Sequence, residues 1–235
     1  MLERDRAAVA VCLLAVVVLA WAWLWRHPGM AMQPHLVFLF VMWWIMMVAM
    51  MLPSAAPMIL LFASVSRQQR ALGKRHVPTV VFASTYLAMW GLFSLFAAIL
   101  QWWIETRVEP VMSAGVSSGW RAGGLLLATG VYQLTPLKDA CLRHCRSPLQ
   151  FVIGRWRPGL RGALAMGVEH GAYCIGCCWL LMGLLFVGGV MNLWWVIGIA
   201  AYVLLEKVVP AGPRLGRALG AALVAAGGLV LLGSF

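Results

Sequence analysis

The chain has few charged side chains, and acidic residues are especially scarce. Only 7 of its 235 residues are Asp or Glu, and charged residues together make up 11% of the sequence. Hydrophobic residues account for 63%, a share that a soluble domain of this length could not bury. The composition therefore excludes an ordinary soluble domain and indicates an integral membrane protein.

Motifs of common hydrolases are also missing. The sequence contains no Ser-His-acid set, no glycine-rich phosphate loop and no His-Glu-x-x-His pair. Its longest polar stretch, at about 138–161, is too short for a soluble domain, and we interpret it as a cytoplasmic loop carrying Pro148 and Pro158. We therefore expect a single transmembrane domain over residues 1–235 and a function that is not enzymatic.

The sequence does contain a series of long apolar runs. Each is long enough to cross a hydrocarbon core of ~30 Å as a helix. They predict an all-α fold, a polytopic transmembrane helical bundle of about seven spans, near 7–25, 36–63, 78–103, 119–137, 162–188, 191–209 and 217–235. The first run ends in tryptophans typical of a membrane interface and no clear cleavage site follows it. We therefore interpret it as a membrane helix rather than a signal peptide.

Lysine and arginine are distributed unevenly between the two sides of this predicted bundle. Fifteen of the eighteen fall in the N-terminal tail and in the connections after predicted spans two, four and six. The positive-inside rule then places the N-terminus in the cytoplasm and the C-terminus outside. Orientation and contact with anionic headgroups of the lipid bilayer explain the net charge of +11, so no nucleic-acid partner is needed.

An unusual group of donor side chains lies inside predicted span five. It consists of Glu169, His170, Cys174, Cys177 and Cys178. At about 100° per residue, His170, Cys174 and Cys177 share one stripe of the helix, and the other two flank it. Ionisable groups at this depth are costly and usually functional. Sulfur and imidazole donors indicate a soft-metal site, for Cu(I) first and for zinc or another transition metal as the alternative.

Two further donor groups lie in neighbouring segments. Cys141 and Cys145 are four residues apart at the predicted inner end of span four, where a helix would place them on one face. Met46 and Met50 in span two lie at about the same predicted depth as residues 170–177, so their thioethers could complete the site. Whether the two cysteine groups form one site or two stays open at this point.

Two other features are interpreted as structural. Glu206 and Lys207, at the predicted inner end of span six, fit side chains that snorkel to the membrane surface or an interfacial ion pair, and either would anchor the helix. The last span is rich in Gly and Ala, which favours close helix packing. Neither feature predicts chemistry of its own.

Several sequence blocks resemble a known bacterial family. The matching blocks are Met46–Ser54, Tyr132–Lys138 with Cys141 and Cys145, Gly167, His170–Gly171 with Cys174, Gly176–Trp179, Met182, Met191–Asn192 and Glu206–Lys207. Together they are similar to a family of predicted metal-binding integral membrane proteins, over about residues 40–210. Some members are associated with copper supply to a polyphenol oxidase. The resemblance implies a multi-pass protein of the bacterial inner (plasma) membrane that handles copper.

Three functions are consistent with the sequence. The first, which we favour, is a carrier that binds Cu(I) in the bundle and either transports it across the membrane or passes it to a client metalloenzyme or a soluble metallochaperone. In that reading Cys141 and Cys145 capture the ion, and Glu169 balances charge or couples a proton. The second is a membrane thiol–disulfide oxidoreductase with Cys174 and Cys177 as its redox pair, which would need a quinone. The third is an assembly factor whose Cys and Met residues only pack.

Overall fold

A computed structural model describes residues 2–27, 35–73, 78–107 and 119–233 of the chain, with side chains from residue 6 onward. Within these ranges the backbone is almost entirely helical and forms no strand, so the all-α prediction is confirmed. Lys74 and Arg75 of the predicted charge pattern, and residues 234–235 of the last predicted span, lie outside the described residues.

Helices follow one another along the chain with short connections. They are α1 (Leu2–Arg26), α2 (Leu36–Ala71), α3 (Thr79–Arg107), α4 (Gly119–Gln133), α5 (Pro136–Arg146), α6 (Pro148–Arg155), α7 (Gly159–Gly183), α8 (Leu185–Gly188), α9 (Leu193–Val208) and α10 (Gly212–Gly233). Backbone hydrogen bonds of 3.0–3.3 Å at Leu184 connect α7 to α8. Residues Gly159–Gly188 therefore form one long apolar segment.

Five segments in the described part of the chain are long and apolar enough to cross a membrane. They are α1 from Arg6 onward, α2, α3, α7 with α8, and α10. At the fourth and sixth predicted spans the helices α4 and α9 have 15 and 16 residues. Both are shorter than the ~20 residues of an upright crossing. The count of seven spans and the orientation of the bundle therefore stay predictions.

The prediction of a loop at about 138–161 is wrong, because most of this stretch forms α5 and α6. Thr135 caps α5: its hydroxyl accepts a hydrogen bond from the Lys138 backbone N–H at 3.3 Å, and Pro136 occupies the first turn. The helix is strongly amphipathic and packs along α7 with Leu142 buried. Its polarity suggested a loop, whereas its apolar face makes it part of the bundle.

Helices α2 and α7 are the most deeply buried of the long helices; α3 packs against both, α5 packs along α7, and α9 packs mainly against α2. Much of the buried surface of α2 is methionine, namely Met42, Met46, Met47, Met50, Met51 and Met58. Pro53 and Pro57 interrupt the hydrogen bonding of this 36-residue helix near its middle. The Met51 thioether of this sulfur-rich helix contacts Cys178 of α7.

Helices α4 and α10 approach each other closely through glycine. A Cβ atom at Gly130 would lie 2.7 Å from the backbone N of Val224, and one at Gly227 would lie 2.7 Å from the backbone N of Leu127. Neither distance is compatible with a side chain, so the two backbones are in contact. The predicted packing role of glycine in the last span is confirmed.

Candidate metal centre

Sulfur atoms from three helices meet in the interior of the bundle. They belong to Cys145 of α5, to Cys174, Cys177 and Cys178 of α7, and to Met51 of α2, and we call this set the sulfur cluster. The Sγ atoms of Cys145 and Cys177 are 3.9 Å apart, and the Sγ of Cys178 lies 4.0 Å from the Sδ of Met51. The three cysteines of α7 are buried. The two cysteine groups predicted from sequence are therefore in contact.

The helical geometry of α7 holds its three thiols together. Residues three and four apart lie on one helix face, so Cys177 and Cys178 both stand above Cys174. Each of the two thiols donates a hydrogen bond to the Cys174 carbonyl oxygen, at 3.1 and 2.9 Å. Such bonds to the preceding turn are typical of small polar side chains in buried helices. They direct both sulfur atoms back toward the level of Cys174.

A buried lysine of α9 reaches into the cluster. The Nζ of Lys207 is 3.0 Å from the Sγ of Cys174 and 3.3 Å from the Oγ of Ser54. The hydroxyl of Tyr86 lies 3.1 Å from the same Cys174 sulfur and donates a 3.4 Å hydrogen bond to the Met51 carbonyl oxygen. The Cys174 sulfur thus lies between a cationic group and a tyrosine hydroxyl.

The interfacial pair predicted for Glu206 and Lys207 is wrong. Adjacent helical residues point about 100° apart, and these two side chains take different partners. Glu206 forms a buried ion pair with Lys138 of α5 and accepts a 3.1 Å hydrogen bond from the Tyr202 hydroxyl. Lys207 turns to Cys174 instead. Lys138 and Lys207, counted above as cytoplasmic charge, are therefore interior groups.

His170 lies one turn before Cys174 on α7 and is also buried. The rings of Phe82, Tyr86 and Phe151 surround it, with centroids 6.0, 5.4 and 5.7 Å from the imidazole centroid. Its Nδ1 atom has no hydrogen-bond partner among the described residues. Tyr86 contacts both His170 and Cys174, so the imidazole borders the sulfur cluster.

Glu169 has a different environment from the other predicted ligands. It lies about 140° around α7 from Cys174 and forms an ion pair with Arg155 of α6. The same Arg155 guanidinium lies 5.9 Å from the centre of the Tyr173 ring. The structure thus places Glu169 in a partly exposed ion pair on the side of α7 that faces α6.

Cys141 lies against α7 one turn from Cys145. Its Sγ would be only 3.0 Å from a Cβ atom at position 176, so glycine there lets the thiol approach the helix. Tyr132 donates a hydrogen bond to the Gly176 carbonyl oxygen at the same level. Burial raises the pKa of the Cys141 thiol above its ordinary value, and the nearby Cys177 adds to the shift.

Helix α2 contacts the cysteines through a methionine that was not among the ligands predicted from the sequence. Met46 and Met50 are both buried, but the thioether in contact with a cysteine is that of Met51. Met51 and Lys207 contact the cysteines of the cluster but were not part of the predicted site. The methionine-rich pattern of α2 marked the first segment, and the family resemblance marked Glu206–Lys207 as a block without giving the lysine a role.

The donor types of the cluster suit a soft metal ion, and two of its sulfur pairs have a spacing compatible with one. With metal–sulfur bonds of ~2.3 Å, two sulfurs on one ion lie about 3.8 Å apart in a tetrahedral site and about 4.6 Å apart in a linear one. The sulfur pairs at 3.9 and 4.0 Å fall within these limits. In the described part of the chain, no group of three His, Cys, Asp or Glu side chains is arranged so that it could hold a metal ion as it stands.

Comparison with known proteins agrees with this chemistry. A family model described as PpoB2, copper chaperone, matches residues 40–230, which include every residue of the sulfur cluster. No curated protein and no solved structure matches the chain significantly. The family resemblance seen in the sequence is confirmed. The chain belongs to the PpoB2 family of copper chaperones.

Proposed function

We propose that the protein is a membrane copper chaperone that carries Cu(I) in the sulfur cluster and delivers it to a client metalloenzyme. The observation that supports this most directly is the meeting of four cysteines and one methionine in the bundle interior. Soft sulfur donors select Cu(I) over harder ions. The copper chaperone family and the five apolar helices agree with copper handling at a membrane.

The cysteines of the cluster are the primary ligands in this proposal. Two of the four thiols of Cys145, Cys174, Cys177 and Cys178 bind the ion as thiolates while the other two stay protonated, and the Met51 thioether adds a weaker bond. Because Cys177 and Cys178 are hydrogen-bonded to the Cys174 carbonyl, the ion must displace those bonds to bind. These hydrogen bonds re-form when the ion leaves, which stabilises the empty site. They therefore favour release of copper, which a chaperone needs as much as capture.

Lys207 makes this site electrostatically tolerable. Cu(I) bound by two thiolates carries one net negative charge, and an isolated charge in an apolar interior is costly. The Lys207 ammonium, 3.0 Å from Cys174, cancels that charge. Glu206 does not compete for the Lys207 ammonium, because its carboxylate is already paired with Lys138. We therefore assign charge balance to Lys207. Glu169 is not given this role, because its carboxylate is paired with Arg155.

Entry of copper is proposed along α5. Cys145 is only partly buried, so it links the surface of the bundle to Cys177 in the interior. Cys141, one turn away on the same face, extends this path, and His170 with Met46 and Met50 would be auxiliary donors in the interior. The predicted orientation puts α5 on the cytoplasmic side of a bacterial inner membrane, where a soluble metallochaperone could supply the ion.

Metal analysis of purified protein tests the proposal. Protein in detergent is loaded with Cu(I) under anaerobic, reducing conditions, and bound copper is measured by mass spectrometry. The double variant Cys174→Ser/Cys177→Ser should lose at least one equivalent per chain. Cys12→Ser is the matched control, because Cys12 is an exposed cysteine of α1. Equal copper in all three proteins would overturn the proposal.

A further inference from the structure

Helices α2 and α7 run antiparallel, and two contacts define how their residues align. Cys178 meets Met51, with the sulfur atoms 4.0 Å apart. Eight residues further along the α7–α8 segment, Phe186 meets Trp43, with ring centroids 5.4 Å apart. Trp43 is eight residues before Met51, so one register accounts for both contacts.

This register places Met182 opposite Met47, midway between the two observed contacts. Both methionines are fully buried. Each lies one helical turn, about 6 Å, from its counterpart in the Cys178–Met51 contact. The proposed binding of copper by the sulfur cluster uses neither of them.

We propose that Met47 and Met182 form a second Cu(I) site, built from thioethers, one helical turn from the sulfur cluster and farther from α5. The inference rests on the proposed function, because it concerns the same cargo after it leaves the cysteines. Thioether sulfur is soft and uncharged, so it binds Cu(I) or Ag(I) in preference to zinc or magnesium and holds it less tightly than thiolate does. Such a site would receive the ion and release it readily.

The surroundings of Met182 suit this role. Together with Trp43, Phe186 and Trp179 it lines a cavity of about 270 Å³ whose walls are mostly apolar. The Trp43 indole N–H donates a hydrogen bond to the Gln101 side-chain oxygen at 2.6 Å, which fixes the ring at the edge of this cavity. A cation next to an indole face gains further stabilisation. The space would let an ion bound at Met182 exchange without unfolding the bundle.

The spacing of donors along α7 supports a stepwise path. From Met166 onward, every fourth residue of this helix is a sulfur or imidazole donor, and all of them are buried: Met166, His170, Cys174, Cys178 and Met182. At four residues per step, successive donors are about 6 Å apart along the helix axis. The proposed thioether site is the last donor of this series, at the end that continues into α8.

Silver binding to a cysteine-free protein isolates the second site. Ag(I) is a soft probe without redox chemistry, and the four cysteines of the sulfur cluster are replaced by alanine. This protein should keep about one weakly bound equivalent of Ag(I). Adding Met47→Leu and Met182→Leu, which conserve volume, should weaken that binding at least tenfold. Met58→Leu is the matched control, a buried methionine of α2 with neither Met nor Cys opposite it in the register.

A second experiment in the otherwise unchanged chain keeps the inference testable if the cysteine-free protein does not fold. The wild type should bind two equivalents of Ag(I), and the Met47→Leu/Met182→Leu variant only the tighter one. A wild type with a single equivalent, or a methionine variant that still binds two, would overturn the second site and leave the sulfur cluster intact. Failure of the sulfur cluster itself would appear as unchanged tight binding after the cysteine substitutions.

Discussion

Lys207 and Cys174 are in direct contact, with 3.0 Å between the ammonium nitrogen and the thiol sulfur, and both side chains are buried. Only the fold brings them together, because they lie on α9 and α7. A buried cation next to a sulfur donor prepares the interior for an anionic metal–thiolate unit before any metal arrives. Lys207 is therefore a positioning residue of the proposed site rather than a ligand.

Replacing Lys207 with leucine should weaken Cu(I) binding at least tenfold, because the bound unit would keep an uncompensated negative charge. Competition against a Cu(I) chelator under anaerobic conditions measures the affinity. Lys207→Arg should retain most of it, since arginine keeps the cation. Equal affinity of the leucine variant and the wild type would show that the cation is irrelevant to copper.

The Lys138–Glu206 ion pair should behave as a structural unit. Lys138→Met leaves the Glu206 carboxylate buried without its partner, and breaking such a pair costs about 3–5 kcal/mol. We expect a lower thermal unfolding midpoint in detergent. The double variant Lys138→Met/Glu206→Gln should recover much of the loss, because no unpaired charge remains. A double variant as unstable as the single one would mean that the charges contribute little.

Glycine at the α4–α10 contact should be irreplaceable. Gly130→Ala puts a Cβ atom 2.7 Å from the Val224 backbone nitrogen, so the helices must separate, at a cost of about 1–3 kcal/mol. Thermal unfolding followed by circular dichroism measures the change. Gly124→Ala on the same helix is the matched control, because an added Cβ there meets nothing within 4 Å. Similar unfolding of both variants would argue against the close contact.

Cys141 should become reactive only at unusually alkaline pH. Burial raises the pKa of its thiol, and the thiolate is the reactive species. The rate of maleimide alkylation, followed by peptide mass spectrometry, should therefore reach half of its maximum at a higher pH than the value of about 8.5 expected for an ordinary thiol. The same shift disfavours the folded state as pH rises, because the unfolded chain loses this proton first. A half-maximal rate at or below about pH 8.5 would contradict the assignment.

The sequence predicted the parts of the site that depend on one helix. The period of the α-helix was enough to group His170, Cys174 and Cys177 on a single face, and the apolar runs located the long helices. Contacts between helices depend on rotation and register, which composition does not encode. A shift of one residue separates Met50, which was predicted, from Met51, which touches Cys178.

Lys207 shows the same limit more clearly. A neighbouring acid and base in sequence suggest a pair with each other, but consecutive side chains on a helix diverge by about 100°. Two different helices, α5 and α7, supply their actual partners. Polar composition likewise concealed α5, whose helical character depends on an apolar face packed against α7.

The sulfur cluster draws its atoms from α2, α5 and α7, three segments far apart in the chain. A copper ion held there would cross-link those segments, and ligand binding to the folded state raises its stability in proportion to the logarithm of ligand concentration. Loaded and empty protein would then differ in rigidity as well as in cargo. A client could distinguish a donor carrying copper from an exhausted one by how firmly α5 is held to the bundle.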